Sequence, residues 1–305
     1  TRGVEEIIDK KNLEKKLRSG RELKIKLGFD PTSPNLHVGR SVPLLKLRDF
    51  QELGHKIIFI IGDATGVIGD TSDKDSERKM LARQTVEENM RQYADQAGKI
   101  LDMDKCEVRH NSEWLKPLGY DEIGEHADIF SLHEFIAREN IKKRLDEGKR
   151  ISLREVLYPL MQGYDSVAIH ADIEVGGTDQ RFNLLAGRTL QEHFGQEPQD
   201  IVIGPLIEGT DGRKMSSSWG NTINLTAVPN DMFGKVMTTP DNLIIRYFTL
   251  TTRVPMDEIN HYEREMAEGG NPRDYKMKLA EELVHIYHGA AAATEAVAYF
   301  VNTFA

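Results

Sequence analysis

The sequence predicts an α/β fold: a parallel sheet covered by helices over residues 1–222, carrying a helical insertion over about residues 71–150, then a smaller all-α unit over residues 223–305. Three observations predict it. Near the N-terminus two apolar, strand-like runs flank an amphipathic helix pattern, the strand, helix, strand order of a parallel crossover unit. From Thr71 to about Arg150 the periodicity turns helical and the alternation stops. After Asn221 the chain reads as helix, strongest over Leu243 to Leu250 and Tyr275 to Phe300.

Each element has a local reason. Leu23, Ile25 and Leu27 alternate with Lys24 and Lys26, the pattern of a buried strand. A helix follows His37: Leu44, Leu47, Phe50 and Leu53 recur at helical spacing beside Val42 and Leu45, Pro43 is tolerable in the first turns, and Gly54 suits a left-handed stop. Lys56 to Ile61 is apolar on both faces, as in a parallel sheet covered by helices, and completes a Rossmann-like unit. In the insertion, Val86, Met90, Tyr93, Ala97 and Ile100 make one apolar stripe, while Phe130, Leu132, Phe135 and Ile136 suggest a short helix. The crossover pattern resumes with a helix near Ser152 to Ala168, a Gly177 region opening a further helix, and Ile201-Val-Ile203 as a strand ending at Gly204-Pro205. The alanine run at 290–293 is good helix material, and no internal repeat appears.

Composition excludes several classes. At 305 residues the chain can bury a sizeable core, and at roughly 100–200 residues per domain it suggests two compact units. Charged residues make up 29%, and no apolar run approaches the roughly 18 residues that span a bilayer, so no membrane partner is expected. The N-terminus does not read as a signal peptide, Thr1 reads as a trimmed or processed start, and the expected compartment is cytoplasmic. A single cysteine, Cys106, excludes an internal disulfide and leaves no Cys cluster for a structural metal. The net charge of −9 repels polyanions, so RNA would need a local basic patch or a further module. Ile141-Lys-Lys-Arg144 with Lys149-Arg150 is such a patch, but Asp146 and Glu147 dilute it, as on a solvated helical face.

Three clusters carry chemistry. His37 and Arg40 share a face at the start of a helix, where free N–H groups and the helix dipole favour phosphate, and Gly28 and Gly39 let a nucleotide lie against the backbone. Lys214 follows Gly212 and precedes three serines, a flexible loop suited to gripping departing pyrophosphate. Between them, Tyr158, Gln162 and Asp165 fall at i, i+4 and i+7 on a helix that also bears Leu157, Leu160 and Met161. That is the wall of a small-molecule pocket, although the same spacing describes an amphipathic surface helix. Gly176-Gly177 before Thr178-Asp179 offers close backbone approach and a carboxylate suited to ribose hydroxyls.

These segments resemble the bacterial-type tyrosyl-tRNA synthetases, class I aminoacyl-tRNA synthetases, essentially end to end. Gly28-Phe-Asp-Pro-Thr32 with Leu36-His-Val-Gly-Arg40 resembles the family's first ATP motif, and Ile61-Gly-Asp-Ala-Thr65-Gly-Val-Ile-Gly-Asp70 the stretch ending in an aspartate for the amino group of tyrosine. Gln162-Gly-Tyr-Asp165 with Gly176-Gly-Thr-Asp-Gln-Arg-Phe-Asn183 resembles the amino-acid and ribose segment, and Lys214-Met-Ser-Ser-Ser218 the mobile second ATP motif. Pro272-Arg-Asp-Tyr-Lys276 through His288-Gly289 resembles the helices before the family's C-terminal RNA-binding domain. That domain would begin where the chain ends at Ala305, whether by truncation or in a compact natural form.

The resemblance implies activation of L-tyrosine by ATP to tyrosyl-adenylate and its transfer to the 3′ end of tRNA(Tyr). It assigns Tyr158, Gln162 and Asp70 to the substrate ammonium and Asp165 to its hydroxyl, with Lys26, Thr65 and Glu174 also around tyrosine. His37, Arg40 and Lys214 would steady the ATP phosphates, Asp179 and Gly177 the ribose, and Leu206 with Met215 the adenine. Gly28, Asp30, Thr32, Gly39, Gln180 and Ser216 complete the implied ATP site. Mg²⁺ would travel with ATP, with no protein ligand for it evident in the sequence; the insertion would form a homodimer interface.

The chain departs from the family pattern at several places. Arg40 stands for a second histidine, Ser217 for a second loop lysine, Lys26 for a tyrosine beside the substrate hydroxyl, Glu174 for a glutamine, and Thr71-Ser-Asp73 for a Pro-Ser-Gly turn. A tryptophan enzyme of the same fold and a non-catalytic binding paralogue are the competing readings. Asp165 and Asp30-Pro-Thr32 favour tyrosine.

Overall fold

A computed structural model describes residues 2–71 and 80–304; Ser72 and Asp73 of the expected variant turn lie outside them. The strands are β1 (Glu6–Ile8), β2 (Lys24–Phe29), β3 (Lys56–Ile61), β4 (Cys106–His110), β5 (Ile173–Gly177) and β6 (Asp200–Gly204). They form one sheet in the order β1-β6-β5-β2-β3-β4, parallel throughout except where β1 pairs with β6. The chain therefore runs from β2 outward through β3 to β4, and from β5 outward the other way to β6. The order reverses between β2 and β5, where open parallel sheets bind ligands.

The expected strands and helices are present. Helix Val38–Glu52 connects β2 to β3 and stops before Gly54, which is left-handed at φ 85°. The helix Leu153–Ile169 starts at Ser152, whose side chain and that of Glu155 form a capping box. Three strands differ from expectation, the short edge strand β1 among them. The interval 71–150 is helical in most of its described part, but it also holds β4, which extends the sheet beyond β3. An edge strand needs no continuous apolar run, and Cys-Glu-Val-Arg-His has none. Gly176 and Gly177 end β5 rather than opening a helix directly; a short turn at Thr178–Gln180 intervenes before helix Arg181–His193.

One apolar core runs from Ile25, Leu27 and Phe59 of the sheet through Leu44 and Leu47 into Phe233, Tyr247, Leu279 and Val284 of the C-terminal helices. The two regions are also stitched by backbone. Val38 donates to the carbonyl of Ile223 (2.8 Å) and Leu225 to that of Leu36 (2.9 Å), so the segment after residue 222 holds the start of the helix that carries His37 and Arg40. Arg2 donates to the carbonyls of Phe248, Thr249, Thr252 and Val254 at 2.7–2.8 Å, satisfying the end of helix Ile244–Thr251.

Candidate active site

Pairing between β2 and β5 covers only Ile25 with Ile173 and Lys26 with Glu174. Beyond that rung the strands separate, and a cavity of about 260 Å³ opens between their C-terminal ends. Asp70, Tyr158, Gln162, Asp165, Glu174 and Thr65 line one part of it, and His37, Gly39, Arg40, Lys214, Met215 and Ser216 another. Gly28, Asp30, Thr32, Gly177, Asp179, Gln180 and Leu206 line the wall as well, so every sequence-predicted site residue except Lys26 faces one space.

The polar end is built on Asp30. Its carboxylate accepts from Tyr158 Oη (2.8 Å) and Thr65 Oγ1 (2.7 Å), and Asn111 Nδ2 donates in turn to Thr65 Oγ1 (2.9 Å). Gly62 makes this possible, because a Cβ there would lie 2.2 Å from Asp30 Oδ1 and 2.4 Å from Thr65 Oγ1. Asp165 accepts from Trp114 Nε1 at 2.8 Å and from Asn111 at 3.5 Å. Burial pushes its carboxyl up to about 7; Lys26 and the Trp114 bond oppose the shift, and Glu174 adds to it. Burial, Asp30 and Asp70 together hold the Tyr158 hydroxyl protonated well above its ordinary range. Asp70 accepts from Gln180 Nε2 (2.7 Å), and Asn183 donates to both Gln180 (3.1 Å) and Gln162 (3.0 Å). Tyr158 and Asp165 are buried, so their helix is a pocket wall and not an amphipathic surface helix.

The second end carries cations. His37 precedes helix Val38–Glu52; burial first, then Arg40 and Lys214, drop its pKa to about 3, so the imidazole is neutral. The helix start is not a set of free N–H groups, as the sequence suggested. Downstream chain folds over this end, so Val38 N donates to Ile223 and Gly39 N to Met215 Sδ (3.2 Å), while Arg40 N donates within the turn to the His37 carbonyl (2.7 Å). What remains for an anion is side-chain charge. Arg40 stacks over Phe29, 5.2 Å from the ring centroid, and Lys214 pairs with Asp179 at 3.0 Å. Asn221 organises the Lys214 loop: its Oδ1 accepts from Ser216 N, and its Nδ2 donates to Asp211 and to the Lys214 carbonyl.

Lys26 lies outside the cavity wall. It is wholly buried beneath it and paired with Glu174 at 3.0 Å, so these two departures from the family pattern are a single ion pair. Among the described residues no cluster of three or more His, Cys, Asp or Glu is placed to hold a metal.

Residues 18–305 match the family of tRNA synthetases class I (W and Y). The chain belongs to this family. A tyrosine–tRNA ligase of Coxiella burnetii is 49% identical over 304 residues, covering 99% of this chain and 76% of the relative. One from Carboxydothermus hydrogenoformans is 49% identical over 309 residues, covering 99% and 75%. Among solved structures, the tyrosyl-tRNA synthetase of Archaeoglobus fulgidus complexed with L-tyrosine superposes with a TM-score of 0.78 at 21% identity, covering 97% of each chain. A C-terminally truncated mitochondrial tyrosyl-tRNA synthetase of Aspergillus nidulans gives 0.81 at 21%, covering 99% of this chain and 91% of that one. The Rossmann-like fold of class I synthetases is thus the fold of this chain.

Four residues of this synthetase site escape sequence reasoning: Asn111, Trp114, Ser166 and Asn221. Asn111 and Trp114 follow β4, inside a stretch read as helical, and only the scarcity of tryptophan, two in the chain, singles Trp114 out. Asn221 sits at the end of the polar loop with no pattern around it.

Proposed function

We infer that this synthetase activates L-tyrosine with ATP and transfers the tyrosyl group to the 3′ end of tRNA(Tyr), releasing pyrophosphate and AMP. The observation that carries the reading is one cavity with a buried carboxylate, Asp165, in one part and Arg40 and Lys214 in another, in a chain 49% identical to tyrosine–tRNA ligases. The phenol of tyrosine donates to Asp165, while Asp70, Tyr158 and Gln162 surround the ammonium. Phenylalanine would leave Asp165 without that donor.

The tyrosine carboxylate attacks the α-phosphorus. A carboxylate oxygen–phosphorus bond forms, the α–β anhydride bond breaks, and pyrophosphate leaves with the electron pair. The nucleophile is already an anion, so positioning and charge stabilisation supply the catalysis and no general base is needed. Arg40 and Lys214 provide positive charge at the phosphates, and neutral His37 provides a hydrogen-bond donor. Lys214 exchanges Asp179 for phosphate as ATP enters, which releases Asp179 to the ribose. Leu206 and Met215 flank the adenine. Mg²⁺ would accompany ATP as part of the substrate; Asp30, Asp70 and Asp179 are engaged by protein donors. A tRNA ribose hydroxyl then attacks the adenylate carbonyl and AMP departs.

Residues 1–222 act as the catalytic unit and residues 223–305 as the helical unit that closes its back. The enzyme works as a cytoplasmic homodimer through the insertion, where Tyr120, Leu132, Ile136 and Leu145 leave apolar surface exposed. No helix among the described residues is long and apolar enough to cross a membrane. Exchange of labelled pyrophosphate into ATP tests the reading. Exchange is expected with tyrosine and not with tryptophan or phenylalanine; tryptophan-driven exchange, or none, rejects it.

A further inference from the structure

Lys26 and Glu174 are neighbours across the last paired rung of β2 and β5, where the cleft begins. A buried ion pair is weak as a source of stability, because desolvation offsets its attraction. Its place therefore needs another reason. The three N–H donors of Lys26 go to Glu174 Oε1 (3.0 Å), the carbonyl of Gln162 (3.0 Å) and Ser166 Oγ (2.8 Å). Two of these acceptors lie on the helical turn that bears both Gln162 and Asp165. Lys26 thus holds that turn from below and does not reach the ligand space.

Glu174 works on the same turn. It accepts from Gln162 Nε2 (3.4 Å), Ser166 Oγ (3.2 Å) and Gln199 Nε2. A carboxylate can only accept here, so it fixes which end of the Gln162 amide is nitrogen and leaves Oε1 toward Asn183. The pair also brackets Asp165 electrically: Lys26 on β2 favours its anion, and Glu174 on β5 disfavours it. Tyr158, on the same helix, and the neutral Trp114 and Asn111, from the segment after β4, are its other polar neighbours.

We propose that Lys26 and Glu174 are positioning residues for tyrosine recognition, an ion pair at the floor of the pocket that fixes the turn carrying Gln162 and Asp165 and balances the charge on that carboxylate. The proposal rests on the reading of this cavity as a tyrosine site. Tyrosine-dependent exchange by the unaltered protein tests that reading separately, because no variant enters it.

The two members push Asp165 in opposite directions, and a merely structural pair would not. The measurement is kcat/KM for tyrosine across pH about 5.5 to 8.5, with KM for ATP alongside. Lys26→Met is expected to move the acidic limb upward by about one pH unit, about a tenfold loss of kcat/KM below neutrality. Glu174→Gln is expected to move it downward, and the double variant Lys26→Met/Glu174→Gln to return it toward the starting position. KM for ATP should stay within about twofold in all three, since the phosphate-facing residues are untouched. Limbs that shift the same way, or an unmoved limb in Glu174→Gln, overturn the proposal. If Lys26→Met does not fold, Glu174→Gln and the double variant decide the matter.

Discussion

Asp165 shows how much one buried side chain determines. Its carboxyl, raised from 3.8 to about 7, takes up a proton as pH falls through neutrality, which would remove the anionic acceptor proposed for the substrate phenol. Tyrosine affinity is therefore expected to fall toward about tenfold per pH unit below that point, measured as KM in the exchange reaction. The stability effect has the opposite sense. With the folded pKa above the unfolded one, the native state binds the extra proton between 3.8 and about 7, so stability is lost as pH rises through that window. His37 opposes this: with a folded pKa near 3 against 6.5, it loses stability as pH falls through its own window. The whole-protein curve should be shallow, and a variant must separate the two. Asp165→Asn keeps an acceptor for Trp114 and removes the buried charge. It is expected to melt several degrees above the parent near pH 8 while no longer supporting tyrosine-dependent exchange; an unchanged or lower midpoint rejects the account.

At the scale of elements, the site depends on where β2, β3 and β5 end. Gly62, just past β3, lets Asp30 and Thr65 meet over a position where any side chain would intrude. Gly62→Ala is expected to destabilise by about 1–3 kcal/mol through overpacking. Because displaced Asp30 no longer holds Tyr158, KM for tyrosine should rise more than KM for ATP, read by denaturant unfolding and exchange kinetics. Equal changes in both would place the strain elsewhere. The strands themselves differ in legibility. β3 declares itself by five apolar residues in a row, as a strand covered on both faces must. β4 is an edge and β5 ends in two glycines while burying Glu174, so neither carries a strand's composition. Register with neighbours, not local preference, makes them strands.

The largest apolar core passes from the sheet into the C-terminal helices, smaller clusters around Ile58 and Ile60 and around Ile201 and Ile203 pack separately, and Arg2 ties the N-terminal segment to the C-terminal helices. The apolar surface left on the insertion is where the proposed second copy of the chain would pack. Replacing both Leu132 and Ile136, which are exposed one helical turn apart on the insertion, by Asp is expected to shift a dimer to monomer in sedimentation velocity. A parent that is itself monomeric at micromolar concentration would remove the dimer. The sequence by itself determined β2, β3, β6 and the long helices, and it singled out most of the residues that line the cavity, because periodicity and short motifs are local properties of the chain. Tertiary structure alone decided that Lys26 and Glu174 are one ion pair, that Asn111 and Trp114 hold Asp165, and that the N–H groups at the start of helix Val38–Glu52 are already engaged. Apart from the bond of Arg40 N to His37 within that first turn, each of these joins segments dozens of residues or more apart. Burial, pairing and hydrogen-bond satisfaction exist only once those segments meet, and no local pattern records them.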